Sequence, residues 1–186
     1  CRPVVATPDG PRATRPIAAD AQAHEVSMVA GDQTGRFGPD LFRLDGRVAL
    51  VTGAGGFFGR PTAIGLARAG ASLFITDKDA PNLAITADLV RAEGGRCEIL
   101  AGDTSEAGTI DATFAEVGRQ WGGLDFLVHA VAFSDKEELA GRYLDTSQGN
   151  FAQTLLISCY SLTAILQRAE KLMDKGGAVV TLSYYG

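Results

Sequence analysis

Three cysteines in 186 residues, Cys1, Cys97 and Cys159, are too few and too scattered for a disulfide framework or a zinc site. That scarcity makes a reducing cytoplasm the expected compartment and no metal the expected complement. Cys97 and Cys159 are expected to serve as buried small hydrophobes. No apolar run approaches the roughly 18 residues of a membrane span. No basic stretch followed by an apolar segment marks a secretory signal. Positive charge is also short. Seventeen Lys and Arg stand against 22 Asp and Glu, a formal net charge of -5, without the basic footprint that nucleic-acid binding needs. Neither a membrane nor a nucleic acid is an expected partner. What is present is a 46% hydrophobic chain, enough to build a sizeable core.

The first 27 residues hold four of the seven prolines and show no strand or helix period. Residues 1–40 therefore read as a disordered or non-native tail, and residues 41–186 as the folded domain. Met28 is the first methionine, and translation is expected to begin there. From Arg47 onward, short apolar runs alternate with helix-like patterns. Strands are predicted at 48–51, 73–75, 97–100, 124–129 and 178–182. Helices are predicted at 63–69, 82–93, 109–121 and 151–173. In the last helix, Leu155, Cys159, Leu162, Leu166 and Met173 fall near one stripe. Near-continuous apolar strands, each followed by a helix, predict an α/β fold with a Rossmann-like doubly wound parallel sheet.

The stretch VTGAGGFFGRPTAIGLARAG, from Val51 to Gly70, has the layout of a dinucleotide site. A strand runs into glycines, and a helix follows, which brings backbone N–H groups and a helix N-terminus to a pyrophosphate. Gly53 provides the sharp exit from the strand. Gly55 or Gly56 lets the backbone approach the phosphates, and Gly59 allows close packing. The spacing is T-G-x-x-G-x-x-G rather than G-x-G-x-x-G. Phe57 and Phe58 occupy its two variable positions, with Phe58 expected to pack under the loop. Asp77 ends the next strand, 24 positions after Gly53, near the expected offset of about 20 for the carboxylate that holds the adenosine ribose. It favours NAD over NADP, while Lys78 beside it pulls the other way. His129 reads as a strand-end residue rather than a catalyst, since nothing in the sequence orients it.

GRVALVTGAGGFFG, Asp77 and Asp103-Thr104 together resemble the short-chain dehydrogenase/reductase superfamily. The superfamily's commoner loop would place Gly at position 57, and this spacing is that of its extended, epimerase-like branch. From about Asp103 onward the chain resembles bacterial NADH-dependent enoyl-[acyl-carrier-protein] reductases. LDFLVHAVAFSDK, ISCYSLTAILQRAEKLM and TLSYYG carry that likeness. The front half looks like an ordinary dehydrogenase and the back half like an enoyl reductase.

The resemblance implies an NADH-dependent oxidoreductase of fatty-acid biosynthesis that passes hydride to a trans-2-enoyl thioester on acyl carrier protein. It implies cofactor contacts at Gly53, Gly56, Phe58, Gly59, Asp77, Asp103, Thr104 and Val131, with Ala132 beside the last. It implies substrate contact at Ser134, a catalytic Tyr184 beside the acyl group, and a homo-oligomer, a tetramer. The principal Tyr-x6-Lys pair of the family is expected just past Gly186. The 186-residue chain is thus expected to be an inactive amino-terminal fragment, truncated after the fifth strand with that strand at a sheet edge. An NAD-dependent alcohol or 3-oxoacyl dehydrogenase, and a non-catalytic nucleotide-binding remnant, are the competing readings; Ser183 keeps the dehydrogenase reading open.

Overall fold

The computed structural model of the protein describes residues 39–183. The expectations for residues 1–38, for Met28 and for Tyr184 lie outside them. Five parallel strands form one sheet in the order β3-β2-β1-β4-β5: β1 Val48–Thr52, β2 Ser72–Asp77, β3 Cys97–Ala101, β4 Phe126–His129 and β5 Ala178–Thr181. The crossovers are α1 Gly59–Arg68, α2 Ala80–Ala92, α3 Ala107–Trp121, and a long segment of α4 Gln148–Leu155, a π turn Leu156–Tyr160 and α5 Ser161–Ala169.

The apolar runs of β1, β2 and β4 form strands because both faces of the sheet are covered there. Ala49, Val51, Leu73 and Ile75 pack under α1 and α2 with Ala63, Leu83 and Val90. Leu50, Phe74 and Leu127 pack on the other face under α3 and α5, with Ile110, Phe114, Val117 and Ile165. A strand buried on both faces cannot alternate polar with apolar residues, which is the pattern of VALV in β1. β5 is an edge strand, and its Val179 and Val180 are exposed among the described residues.

The starts of the first three helices move from the sequence expectation, α3 by two residues to Ala107. α1 begins at Gly59, four residues before the apolar period is visible, because glycine and Pro61 in the first turn carry no hydrophobic signal. α2 begins at Ala80, capped by Asp79, whose carboxylate accepts from the Asn82 N–H at 3.0 Å.

The last predicted helix differs more. Leu155, Cys159 and Leu166 face outward, and the buried face is made of Ser161, Ala164, Ile165 and Ala169. The expected stripe is one residue out of phase on both sides of the π turn: Thr154, Ser158, Ser161 and Ile165 are less exposed than Leu155, Cys159, Leu162 and Leu166. Small residues on the buried side let α5 approach α3 and the sheet closely.

Cys97 is buried at the start of β3, and burial pushes its thiol up to about 11. Cys159, expected to be buried, is exposed on the π turn. Alkylation of the native chain at neutral pH should therefore modify Cys159 and spare Cys97 until the protein is unfolded. Peptide mapping by mass spectrometry reads both sites, and rapid native labelling of Cys97 would contradict this burial.

Candidate functional site

All four loops at the carboxyl ends of β1 to β4 converge on one cleft of about 190 Å³. β1 supplies Gly53 and Gly56, β2 supplies Asp77 and Lys78, and β3 supplies Gly102, Asp103 and Thr104. The loop after β4 supplies the stretch from Ala130 to Phe133, and the π turn adds Ile157. The strand order reverses between β1 and β4, the position at which open parallel sheets leave a crevice for ligands.

Backbone crowding shapes the glycine loop. Gly53 has φ +70°, and a Cβ there would drive into the carbonyl of Ala130. A Cβ on Gly59 would collide with the carbonyl of Gly53. The first glycine lets the loop lie against the β4 loop; the second lets α1 begin directly under the turn. Of the two candidates for phosphate approach, Gly56 lines the cleft, whereas Gly55 faces Asp77 and Asn82. The N-cap of α1 is Phe58, with no side-chain cap, so the helix opens with N–H groups free of a side-chain acceptor.

Asp77 holds the loop from one side. Its Oδ2 accepts from the Gly55 N–H at 2.9 Å and its Oδ1 from the Asp79 N–H at 2.9 Å. A carboxylate has about four lone-pair sites, so it keeps capacity for a ribose diol. Asp103 accepts from the Ser105 N–H at 2.8 Å. Burial works against its charge, but the Ser105 hydrogen bonds and the Lys78 ammonium outweigh that and hold the carboxyl below its usual range. Lys78 Nζ lies 5.7 Å from the centroid of the Phe133 ring, across the mouth of the cleft.

The cleft thus brings together Gly53, Gly56, Asp77, Asp103, Thr104 and Val131. Gly59 stands behind it at the head of α1. Ser134 follows the lining residue Phe133 but does not itself line the cleft. Phe58 corrects an expectation. It does not pack under the loop but is 63% exposed, edge-to-face with the 86% exposed Phe57 at 5.1 Å. With Gly59 pressed on Gly53, no space remains beneath the turn for an aromatic ring. His129 is buried at the end of β4, hydrogen-bonded by both ring nitrogens, and burial lowers its pKa.

Arg60 is a residue that motif reading missed. Its Nη2 donates to the Gly55 carbonyl at 3.1 Å and to Asn82 Oδ1 at 2.8 Å, and its Nε donates to Thr86 Oγ1 at 3.0 Å. One guanidinium therefore ties the glycine loop to α2. A signal was available: a cation in the first turn of a helix opposes the macrodipole, so its presence needs another reason. Ile157 offered no signal, because the π turn that aims it is invisible in hydrophobic periodicity. Arg60→Leu removes four hydrogen bonds from partly or fully buried partners. It should cost about 1–3 kcal/mol of folding free energy, measured by chemical denaturation; an unchanged midpoint would contradict the latch.

Comparison with known proteins assigns the family. The sequence model of the enoyl-(acyl carrier protein) reductase family matches residues 54–186, which takes in the loop from Ala54 onward as well as the back half. The NADH-dependent enoyl-[acyl-carrier-protein] reductase 1 of Rhizobium meliloti (strain 1021) is 56% identical over 84 residues, 45% of this chain and 31% of that protein. The corresponding enzyme of Rickettsia bellii (strain RML369-C) is 57% identical over 84 residues, 45% of this chain and 32% of that protein. The chain thus spans about a third of the length of the curated relatives it matches. Among solved structures, the enoyl-(acyl-carrier-protein) reductase of Anaplasma phagocytophilum in complex with NAD superposes with a TM-score of 0.68 at 40% identity, covering 76% of this chain and 55% of that one. A 7α-hydroxysteroid dehydrogenase complexed with NADH superposes with a TM-score of 0.72 at 26% identity, covering 79% and 56%. With a Rossmann-like parallel sheet, a glycine turn at its switch point and a family match over most of its length, the chain belongs to the enoyl-(acyl carrier protein) reductase family, within the short-chain dehydrogenase/reductase superfamily.

Proposed function

We propose that this chain binds NADH in the cleft and serves the reduction of a trans-2-enoyl thioester carried on acyl carrier protein, in fatty-acid biosynthesis. The observation that carries the reading is the convergence of the Gly53–Gly56 turn, Asp77, Asp103-Thr104 and Val131 on one cleft at the switch point of the sheet. Small-molecule pockets usually enclose about 300–1,000 Å³, so a 190 Å³ cleft fits one end of a dinucleotide, and its carboxylates and Thr104 suit the adenosine end.

When bound, reduced nicotinamide supplies a hydride to the β-carbon of the enoyl group. The chain's own groups bind and orient. Gly56 and the uncapped start of α1 receive the pyrophosphate. Asp77 accepts from the adenosine ribose and repels a 2′-phosphate, which favours NADH over NADPH. Asp103 and Thr104 meet the adenine, and the backbone at Val131 passes along the cofactor. Gly53 and Gly59 keep the turn low enough for that approach, and Phe58 flanks it from the solvent side. In this reading Ser134 contacts the substrate, and Tyr184 takes the role of the upstream tyrosine beside the acyl group. Residues 41–186 form the nucleotide-binding domain in this reading. The protein acts in the cytoplasm, as a homotetramer.

The test is NADH oxidation by the full-length protein with a crotonyl thioester and, separately, with a 3-oxoacyl thioester. Turnover of the enoyl substrate alone is expected; turnover of the 3-oxoacyl substrate alone would overturn the assignment. Asp77→Asn keeps an acceptor for the Gly55 N–H but removes the charge. It should raise the KM for NADH about tenfold, a loss of about 1.4 kcal/mol, with kcat little changed and discrimination against NADPH reduced.

A further inference from the structure

The last rung of the sheet, on the face covered by α3 and α5, is polar. Thr76, Thr52, His129 and Thr181 are register partners on four neighbouring strands. The rung two residues earlier on that face contains Phe74, Leu50 and Leu127. A polar rung under an apolar one needs a reason, because buried polar groups generally need partners, and Thr76 Oγ1 finds none among the described residues.

At its centre, the His129 ring is fully buried with a partner at each nitrogen. Nε2 lies 2.8 Å from Ser161 Oγ, and Nδ1 lies 3.1 Å from Thr181 Oγ1. The Ser161 hydroxyl is 2.6 Å from the Ile157 carbonyl. A carbonyl only accepts, so the single Ser161 proton goes to Ile157. Ser161 Oγ must then accept from the ring, which puts the imidazole proton on Nε2. In a neutral imidazole the other nitrogen is an acceptor, and Thr181 donates to it. The hydrogen bonds therefore run in one direction, from β5 through His129 and Ser161 to the π turn. Burial also lowers the His129 pKa, which keeps the ring neutral.

The far end of this chain is in the cleft wall. Ile157, whose carbonyl takes the last hydrogen bond, lines the cleft. The next residue of the same turn, Ser158, clasps the β4 loop, accepting from the Phe133 N–H at 3.0 Å and donating to the Phe133 carbonyl at 3.2 Å. Phe133 also lines the cleft. We propose that His129 is a positioning residue: neutral and protonated on Nε2, it fixes the π turn through Ser161 and so sets Ile157 and Phe133 in the wall of the nucleotide cleft. The identity of the ligand rests on the NADH reading above; the tautomer and the link to Ile157 do not.

The experiment combines side-chain NMR of the purified chain with three substitutions. Long-range nitrogen–proton correlations should show His129 as one tautomer, protonated on Nε2. The Ile157 methyl resonance should move in His129→Asn, whose shorter side chain reaches Thr181 but not Ser161, and in Ser161→Ala. It should return towards its original position in His129→Gln, whose amide N–H can stand where Nε2–H stood. NADH affinity, followed by cofactor fluorescence, should fall about tenfold in the Asn and Ala variants and within about threefold in the Gln variant. The double variant His129→Asn/Ser161→Ala should lose no more than either alone, as for groups acting in one chain. A ring protonated on Nδ1, an Ile157 resonance indifferent to both single substitutions, or additive losses would overturn the proposal. The tautomer measurement needs no variant, so it decides even where a substituted chain fails to fold. Movement of Ile157 as expected, with no saturable NADH binding by the unsubstituted chain, would sink the cofactor reading and leave the His129–Ile157 link standing.

Discussion

The close approach of Gly53 to the carbonyl of Ala130 is the contact on which the rest of the site depends. β1 and β4 are neighbours at the point where strand order reverses, and their loops must leave the sheet side by side. With any side chain at Gly53 the two loops would be forced apart, and its positive φ would be strained as well. With glycine they close into one wall. Gly59 repeats the device, resting on the Gly53 carbonyl so that α1 starts directly against the turn. The cleft is narrow because two successive backbone contacts have been made without a Cβ between them.

A turn built from glycines has little intrinsic rigidity, since glycine loses the most backbone entropy on folding. The protein compensates at the Gly55 peptide unit. Asp77 accepts from its N–H and Arg60 donates to its carbonyl, so the residue is gripped from β2 on one side and through α2 on the other. The same Asp77 carboxylate faces the cleft. One side chain therefore both shapes the loop and presents a charge to the ligand, which couples the order of the turn to occupancy of the site. On the opposite wall, the Ser158 clasp on Phe133 fixes the β4 loop to the π turn.

Much of this was legible in the sequence because burial on both faces leaves an unmistakable mark. VALV, LFIT and FLVH read as interior parallel strands, and glycines at 53, 56 and 59 after such a strand read as a tight turn into a helix. Asp77 was legible by its place at a strand end. The outward turn of Leu155, Cys159 and Leu166 was not, because inward-facing residues such as Ser158, Ser161 and Ala164 are small or polar and leave no apolar stripe to read. Phe58 misled for a separate reason. An aromatic among glycines suggests a ring tucked beneath the loop, yet the backbone contact between Gly53 and Gly59 takes that space. His129 looked unoriented because its partners, Ser161 and Thr181, lie 32 and 52 residues away, a separation that only the β4–β5 pairing and the π turn bring together.

The most direct measurement of the central claim is a crystal structure of the chain with NAD bound. The account predicts the pyrophosphate at the backbone of Gly56 and the first turn of α1, the adenosine ribose hydroxyls on Asp77, and the adenine between Asp103 and the Val131 loop. A dinucleotide seated elsewhere, or one whose ribose makes no contact with Asp77, would contradict it.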